Sequence, residues 1–341
     1  MVRLSPAEYS YLRSSLETVP PVRPDARTVA QFRPLQAATN FMPTCYGSAR
    51  VRTADGGECI VGVKAKVART VSAKLINVSI DMSGTRDDDP ALANIALTFE
   101  KLLQDSPILT AEKLRLTSRF SFTLFIDALV LAHNGNNPLN LLSLTIYLAL
   151  MSTRLPKLIS STDDSAAEEI PVFDDDWENS VPLTGLIQGQ APAPRHDLLL
   201  DGKQITPEQA ALFYKTTPWK PPILFVFAVI GNSILIDPSL EEEAVADGTL
   251  TIGWQQGKVV APLRYLETYS SSSTAAATSF VDPSAKKQNS ALAKSGGINL
   301  EILKKAYELA LDAGSDVAES LDLIIKLDRE EEAESGPPAM F

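Results

Sequence analysis

Sets of strands followed by a helix occur twice in this chain, and that repeated order constrains the fold more than any other feature of the sequence. In the first half, Ser48 to Thr53, Glu58 to Val67 and Leu75 to Met82 read as strands, with Asp55-Gly56-Gly57 as the first hairpin turn. Asp89-Pro90 then opens a helix on which Leu92, Ile95, Phe99, Leu102 and Leu103 form one apolar face. Phe120 to Leu131 is a long strand, and Pro138 to Ser152 is a helix that is apolar nearly all round and therefore buried. In the second half, Ile223 to Val229, the Gly231-Asn232 turn and Ser233 to Ile236 make a hairpin, and Thr249 to Trp254, Gln255-Gln256-Gly257 and Lys258 to Leu263 make another. A helix follows from Leu300 to Leu327, with an interruption expected near Gly314-Ser315. The class is α+β, with two related halves.

The flanks and breaks complete the organisation. Ser5-Pro6-Ala7-Glu8 is a capping box with proline at the first helical position, opening a helix to Glu17. Pro20, Pro21, Pro24 and Pro34 make residues 20–36 an extended arm. Residues 174–218, the Ser/Ala-rich tract Ser270 to Ser279 and the acidic tail from Arg329 lack sustained periodicity and read as loops or disordered segments. The expected divisions are a helix over 1–19, a first half over 20–172, an insert over 173–219, a second half over 220–328 carrying a low-complexity insert at 269–297, and a tail over 329–341.

Composition enters through charge. The 341 residues are 45% hydrophobic and 21% charged, which suits a soluble globular chain with ample interior. The net charge of −11 is unevenly held: residues 1–160 have 18 Lys and Arg against 13 Asp and Glu, and residues 161–341 have 13 against 29. A protein that binds nucleic acid by itself is usually basic overall, so any RNA contact is expected locally, from the N-terminal half. The acidic half reads as solvated surface or as a partner for basic proteins. The apolar runs Leu124 to Ala132 and Ile223 to Ile230 are too short to span a bilayer, and the N-terminus has no apolar core of a secretory signal. Cys45 and Cys59 have no metal-type spacing and read as free thiols of a reduced compartment.

Three stretches near the N-terminus follow in close order: Arg23-Pro24-Asp25-Ala26-Arg27, then Gly47-Ser48-Ala49-Arg50-Val51, then Ala54-Asp55-Gly56-Gly57-Glu58 running on to Ala65. Their order and spacing resemble the start of the ribonuclease PH family, and the resemblance continues through Phe122 to His133 and Pro221 to Arg264. It implies a ribonuclease PH-like fold, two βα halves packed as one domain with helices covering one side of the sheets. It also implies a six-member ring of related subunits, cap proteins with RNA-binding modules on one face, and a separate nuclease to which single-stranded RNA is threaded. The expectation is a non-catalytic ring subunit of the eukaryotic RNA exosome, acting in nucleus, nucleolus and cytoplasm, with no cofactor and no membrane partner.

The chemistry is judged at the matching positions. Phosphorolytic members of that family bind phosphate at the start of a buried helix, where orphan N–H groups, the helix dipole and an arginine meet an anion. Here the matching stretch is Asn134-Gly135-Asn136-Asn137-Pro138-Leu139, with Pro138 in the arginine's place. Catalysis also needs carboxylates beside the scissile bond. In Asp237-Pro238-Ser239-Leu240-Glu241-Glu242-Glu243, Asp237 matches, Ser239 and Thr249 replace acids and Glu243 is a longer substitute; the three glutamates read as a solvated acidic turn. No catalytic and no metal residue is therefore expected. The alternative is an active phosphate-dependent 3′-to-5′ exoribonuclease. A small-molecule kinase of related βα fold would need a Gly-rich phosphate loop that Asn134 to Leu139 does not supply.

Other constellations are weaker. His133 and His196 lie far apart without acidic or thiol companions. The Gly47-Ser48-Ala49-Arg50 stretch lies on a strand, not at a strand-to-helix turn, and so reads as structural. Asp127, inside an apolar strand, is expected to be buried and hydrogen-bonded. Arg86, Lys64, Arg115 and Arg119 are the expected RNA contacts, with scattered solubilising charge as the competing reading.

Overall fold

A computed structural model describes residues 4–69, 74–86, 88–105, 114–117, 119–159, 171–185, 199–200, 203–204, 219–267 and 298–335. It divides into two compact units, one of residues 34–133, 141–223 and 316–341, the other of residues 1–33, 134–140 and 224–315. The expected low-complexity insert at 269–297, most of the 174–218 segment and the last six residues lie outside the described residues.

The first of these units is built on a five-stranded sheet of β1 (Leu35–Thr39), β2 (Gly47–Thr53), β3 (Glu58–Arg69), β4 (Ile76–Met82) and β5 (Phe120–Ala132), in the order β1-β2-β3-β5-β4. All neighbours are antiparallel except β4 and β5, which are parallel. A parallel pair needs a crossover, and α2 (Pro90–Gln104) supplies it and packs on β4. Asp89 caps its first turn by accepting the Ala91 N–H, and its apolar face buries Leu92, Phe99, Leu102 and Leu103. The inner sheet face is buried throughout, with Val61 and Val63 of β3 and Phe122, Leu124, Ile126, Ala128 and Val130 of β5, and from Ile126 onward burial along β5 alternates residue by residue. The same alternation turns Asp127 outward, exposed beside Leu129 at 41% and Leu131 at 40%. The expected burial of Asp127 is thus corrected: an apolar run suggested a strand covered on both faces, and from Asp127 onward only one is covered.

α3 (Leu139–Ser152) is nearly all buried, with Tyr147 at its centre giving its hydroxyl hydrogen to Asp322. After it, β6 (Arg154–Leu155) pairs with β7 (Val181–Pro182), Phe173 lies against Phe122, and Trp177 lies against Tyr46. Leu183 and Trp219 are buried. The two ends of the segment expected as a loop therefore pack on their own unit. β8 (Leu199–Leu200) and β9 (Lys203–Gln204) form a small hairpin.

The other unit holds a four-stranded sheet of β10 (Ile223–Ile230), β11 (Ser233–Ile236), β12 (Gly248–Gln255) and β13 (Lys258–Glu267), ordered β11-β10-β12-β13. Every residue of β10 is buried, as its unbroken ILFVFAVI run requires. α1 (Pro6–Leu16) has the expected capping box, and its Leu16 joins Ala228, Ile230, Leu235, Val245 and Ala246 in a core cluster. A short helix, α4 (Leu240–Val245), follows β11.

Two expectations about the chain's ends are corrected. The expected arm gives up Leu35 and Gln36 to β1, a strand with little β propensity that exists because β2 offers an edge. The C-terminal helix α5 (Leu300–Ser335) is unbroken at Gly314-Ser315 and extends past Leu327 into the acidic segment. A Cβ on Gly314 would stand 2.6 Å from the Trp254 indole, so the glycine serves close packing rather than a break.

Candidate functional site

The acidic segment after β11 is where the structure departs furthest from a solvated turn. Asp237 has φ 48°, a left-handed conformation uncommon outside glycine, and it is almost fully buried. Every oxygen it carries is taken. Oδ1 accepts from Arg33 Nη2 at 2.6 Å and from Asn140 Nδ2 at 3.0 Å. Oδ2 accepts from the Arg33 Nε and backbone N–H, both at 2.9 Å, and from Arg27 Nη1 at 3.3 Å. The backbone carbonyl accepts from Arg23 and Arg27, each at 3.1 Å. Burial pushes the Asp237 carboxyl up, but the hydrogen bonds and charge of Arg33, with the charge of Arg27, outweigh it and hold the group below the usual carboxylate range.

Ser239, which stands where an acid is expected in catalytic relatives, is the N-cap of α4. Its hydroxyl accepts the Glu242 N–H, and the Glu242 carboxylate accepts the Ser239 N–H at 2.8 Å. The Ser-x-x-Glu spacing of this capping box was readable from the sequence. Glu242 is fully buried and receives Arg23 in a fork, Nε at 2.8 Å and Nη2 at 2.7 Å. Glu243 is half-buried and accepts the Asn137 N–H at 3.3 Å. The expected solvated turn is corrected: of the three glutamates only Glu241 is exposed. One helical turn placed the other two against the arm and the 134–138 loop, a tertiary event no local pattern announces.

The arm that supplies these arginines turns at Ala26, which has φ 60°, in the left-handed region that favours glycine. The turn lets Asp25 bind Arg27 through both its backbone N–H and its side chain. Among the described residues no group of three or more His, Cys, Asp or Glu could hold a metal ion. Cys59 is buried, which pushes its thiol up to about 12 and leaves it unreactive.

The four basic residues expected to contact RNA all lie around the five-stranded sheet but do not form one patch. Lys64 is exposed on β3 opposite Phe125. Arg86 follows the end of β4 that pairs with Val130 and bonds to Asp88. Arg115 bridges Ser121, and Arg119 is exposed just before Phe120, at the opposite end of β5. At about 3.3 Å per strand residue, the two ends are roughly 30 Å apart. Lys66, two residues beyond Lys64 on β3, lies over the Phe125 ring at 5.1 Å. Arg50 and Arg52 both pair with Glu58.

Residues 220–261 match the 3′ exoribonuclease family, domain 2. The chain is 38% identical to exosome complex component RRP42 of Saccharomyces cerevisiae over 76% of this chain and 85% of that one. The chain belongs to the Rrp42 family of exosome components. A second member, from Schizosaccharomyces pombe, is 30% identical over 78% of this chain and 83% of its own length. Among solved structures an archaeal exosome core chain superposes with a TM-score of 0.56 at 17% identity, covering 93% of this chain and 96% of that one. That likeness is one of fold, and the ribonuclease PH-like α+β fold expected from the sequence is the fold observed.

Proposed function

We infer that this chain is a ring subunit of the RNA exosome, and that it acts there as a non-catalytic structural member. Its membership in the Rrp42 family supports the ring assignment. The observation that supports a non-catalytic role is the state of Asp237. The one acid matching the catalytic pattern has both carboxylate oxygens closed by Arg33, Arg27 and Asn140. A carboxylate so committed has no lone pair left for a proton in transit or for a cation. Ser239 caps a helix where an acid would stand, and Pro138 precedes α3 without an arginine.

In this reading the chain helps form a channel through which single-stranded RNA passes to an associated nuclease, beside other ribonuclease PH-like subunits and caps with RNA-binding modules. Its places of work are nucleus, nucleolus and cytoplasm. The test has two arms. Co-expression with related ring subunits should yield a stable hetero-oligomer, and recovery of an indifferent monomer would overturn the ring assignment. The purified chain with RNA and inorganic phosphate should release no nucleoside diphosphate. Release that Asp237→Ala abolishes would establish the alternative, an active phosphate-dependent exoribonuclease.

A further inference from the structure

Of the three tryptophans, Trp219 and Trp254 are buried, at 0% and 3%, and Trp177 is 49% exposed. It opens a single 3₁₀ turn, Trp177–Asn179, which its neighbours hold in shape. Asp174 accepts the Asp176 N–H and Asp176 accepts the Glu178 N–H, each at 3.1 Å, and the Asn179 amide donates to both carboxylates. Arg154 ties the turn to β6 by donating to the Ser180 hydroxyl at 2.8 Å and to its carbonyl at 2.9 Å. The indole leans on the Tyr46 ring, with centroids 5.8 Å apart and planes at 33°, and the Tyr46 N–H donates to Val63 of β3. The open half of the indole is thus set in place before any partner arrives, which lowers the entropy cost of binding there.

The surroundings of this indole select the partner. Asp175, Asp176 and Glu178 are exposed and make no ion pair among the described residues. Asp176 is engaged by the turn, whereas the Asp175 and Glu178 carboxylates, on either side of Trp177 in the chain, accept no hydrogen bond among the described residues. Residues 158–194 hold eight Asp and Glu and no Lys or Arg. We propose that Trp177 docks a lysine or arginine side chain of a basic protein segment, the indole face meeting the cation and Asp175 and Glu178 neutralising it. The face of an indole is negative, and tryptophan is the best aromatic acceptor of a cation. Nucleobases also stack on tryptophan, but the phosphates that join them would meet unneutralised carboxylates, so this surface disfavours RNA. An apolar segment would cover the indole and leave the carboxylates with no complementary charge.

Because the other two indoles are buried, tryptophan emission of the full chain reports a solute at Trp177. An acetylated, amidated tetra-arginine peptide should change it saturably, and tetra-glutamate and single-stranded oligouridylate should not. Asp175→Asn with Glu178→Gln, which breaks no side-chain bond of the turn, should weaken the peptide about tenfold and flatten the salt dependence of its binding. In calorimetry Trp177→Ala should weaken it about fivefold or more, and Trp177→Phe should recover most of that loss. No saturable change with tetra-arginine, or binding of oligouridylate in its place, would overturn the proposal. Unchanged affinity in Trp177→Ala would do the same, by reducing the effect to a general acidic field. Should that variant fail to fold, proton spectra of the native chain replace it. Contacts between the arginine methylenes and the Trp177 indole must then appear, and their absence sinks the docking site.

Discussion

Arg33 grips Asp237 with its side chain and its backbone at once, Nη2 on Oδ1 at 2.6 Å and both Nε and the backbone N–H on Oδ2 at 2.9 Å. Removing the carboxylate leaves buried guanidinium groups without their anion, which typically costs about 3–5 kcal/mol. Asp237→Ala should therefore lower the urea midpoint sharply, far more than a surface substitution. The pH dependence has a definite sign. The folded value of Asp237 lies below its unfolded one, so its contribution is complete above the unfolded value and is lost as pH falls through the folded one. Acid titration of native stability should show this loss, and Asp237→Asn should blunt it.

Ala26 holds a left-handed turn that glycine adopts freely. The non-glycine cost is about 1–2 kcal/mol, partly offset by the extra freedom glycine brings to the unfolded chain. Ala26→Gly should stabilise the chain by about 0.5–1 kcal/mol, read as a rise in thermal midpoint. A fall would mean that the arm relaxes out of this turn in solution.

Gly314→Ala should destabilise the chain even though alanine is the better helix former. The new methyl meets the buried Trp254 indole at 2.6 Å, and overpacking of that kind costs about 1–3 kcal/mol. In a Trp254→Ala background the same change should become stabilising, and a double-mutant cycle measures the coupling.

A Gly/Ser linker replacing 186–217 should leave assembly with other ring subunits intact, because closure entropy grows slowly with loop length. Extending the replacement back to 176 removes β7 and the Trp177 contact with Tyr46, and should lower the thermal midpoint.

Because the basic residues lie at opposite ends of β5, their effects in the assembled complex should separate. Arg86→Glu and the pair Arg115→Glu with Arg119→Glu should each flatten the salt dependence of RNA binding by about one unit per lost phosphate contact. The changes should alter crosslinks at different RNA positions. Unchanged crosslinks and salt slope for both would assign these residues to solubilising charge.

Patterns of short range were legible in the sequence because they are local physics. The capping box at Ser5, the Asp89-Pro90 helix start, the Asp55-Gly56-Gly57 turn and the buried β10 run each follow from neighbouring residues alone. β1 was not legible, since Leu35–Thr39 becomes a strand only when β2 pairs with it. The exposed Asp127 was misjudged for a related reason: alternation tells which residues share a face, not whether a second layer covers that face.

The sequence by itself determined the α+β order of elements, and it put Pro138 and Ser239 where the family resemblance implies an arginine and an acid. Only the tertiary structure decided what the remaining acids do. Arg23 and Glu242 are separated by 219 positions, and nothing in either neighbourhood foretells their pairing. Burying a carboxylate requires a partner brought by the fold. The arm, turned at Ala26, brings three arginines to Asp237 and Glu242, and that long-range match converts an acidic stretch that reads as solvated into a closed, internally neutralised core.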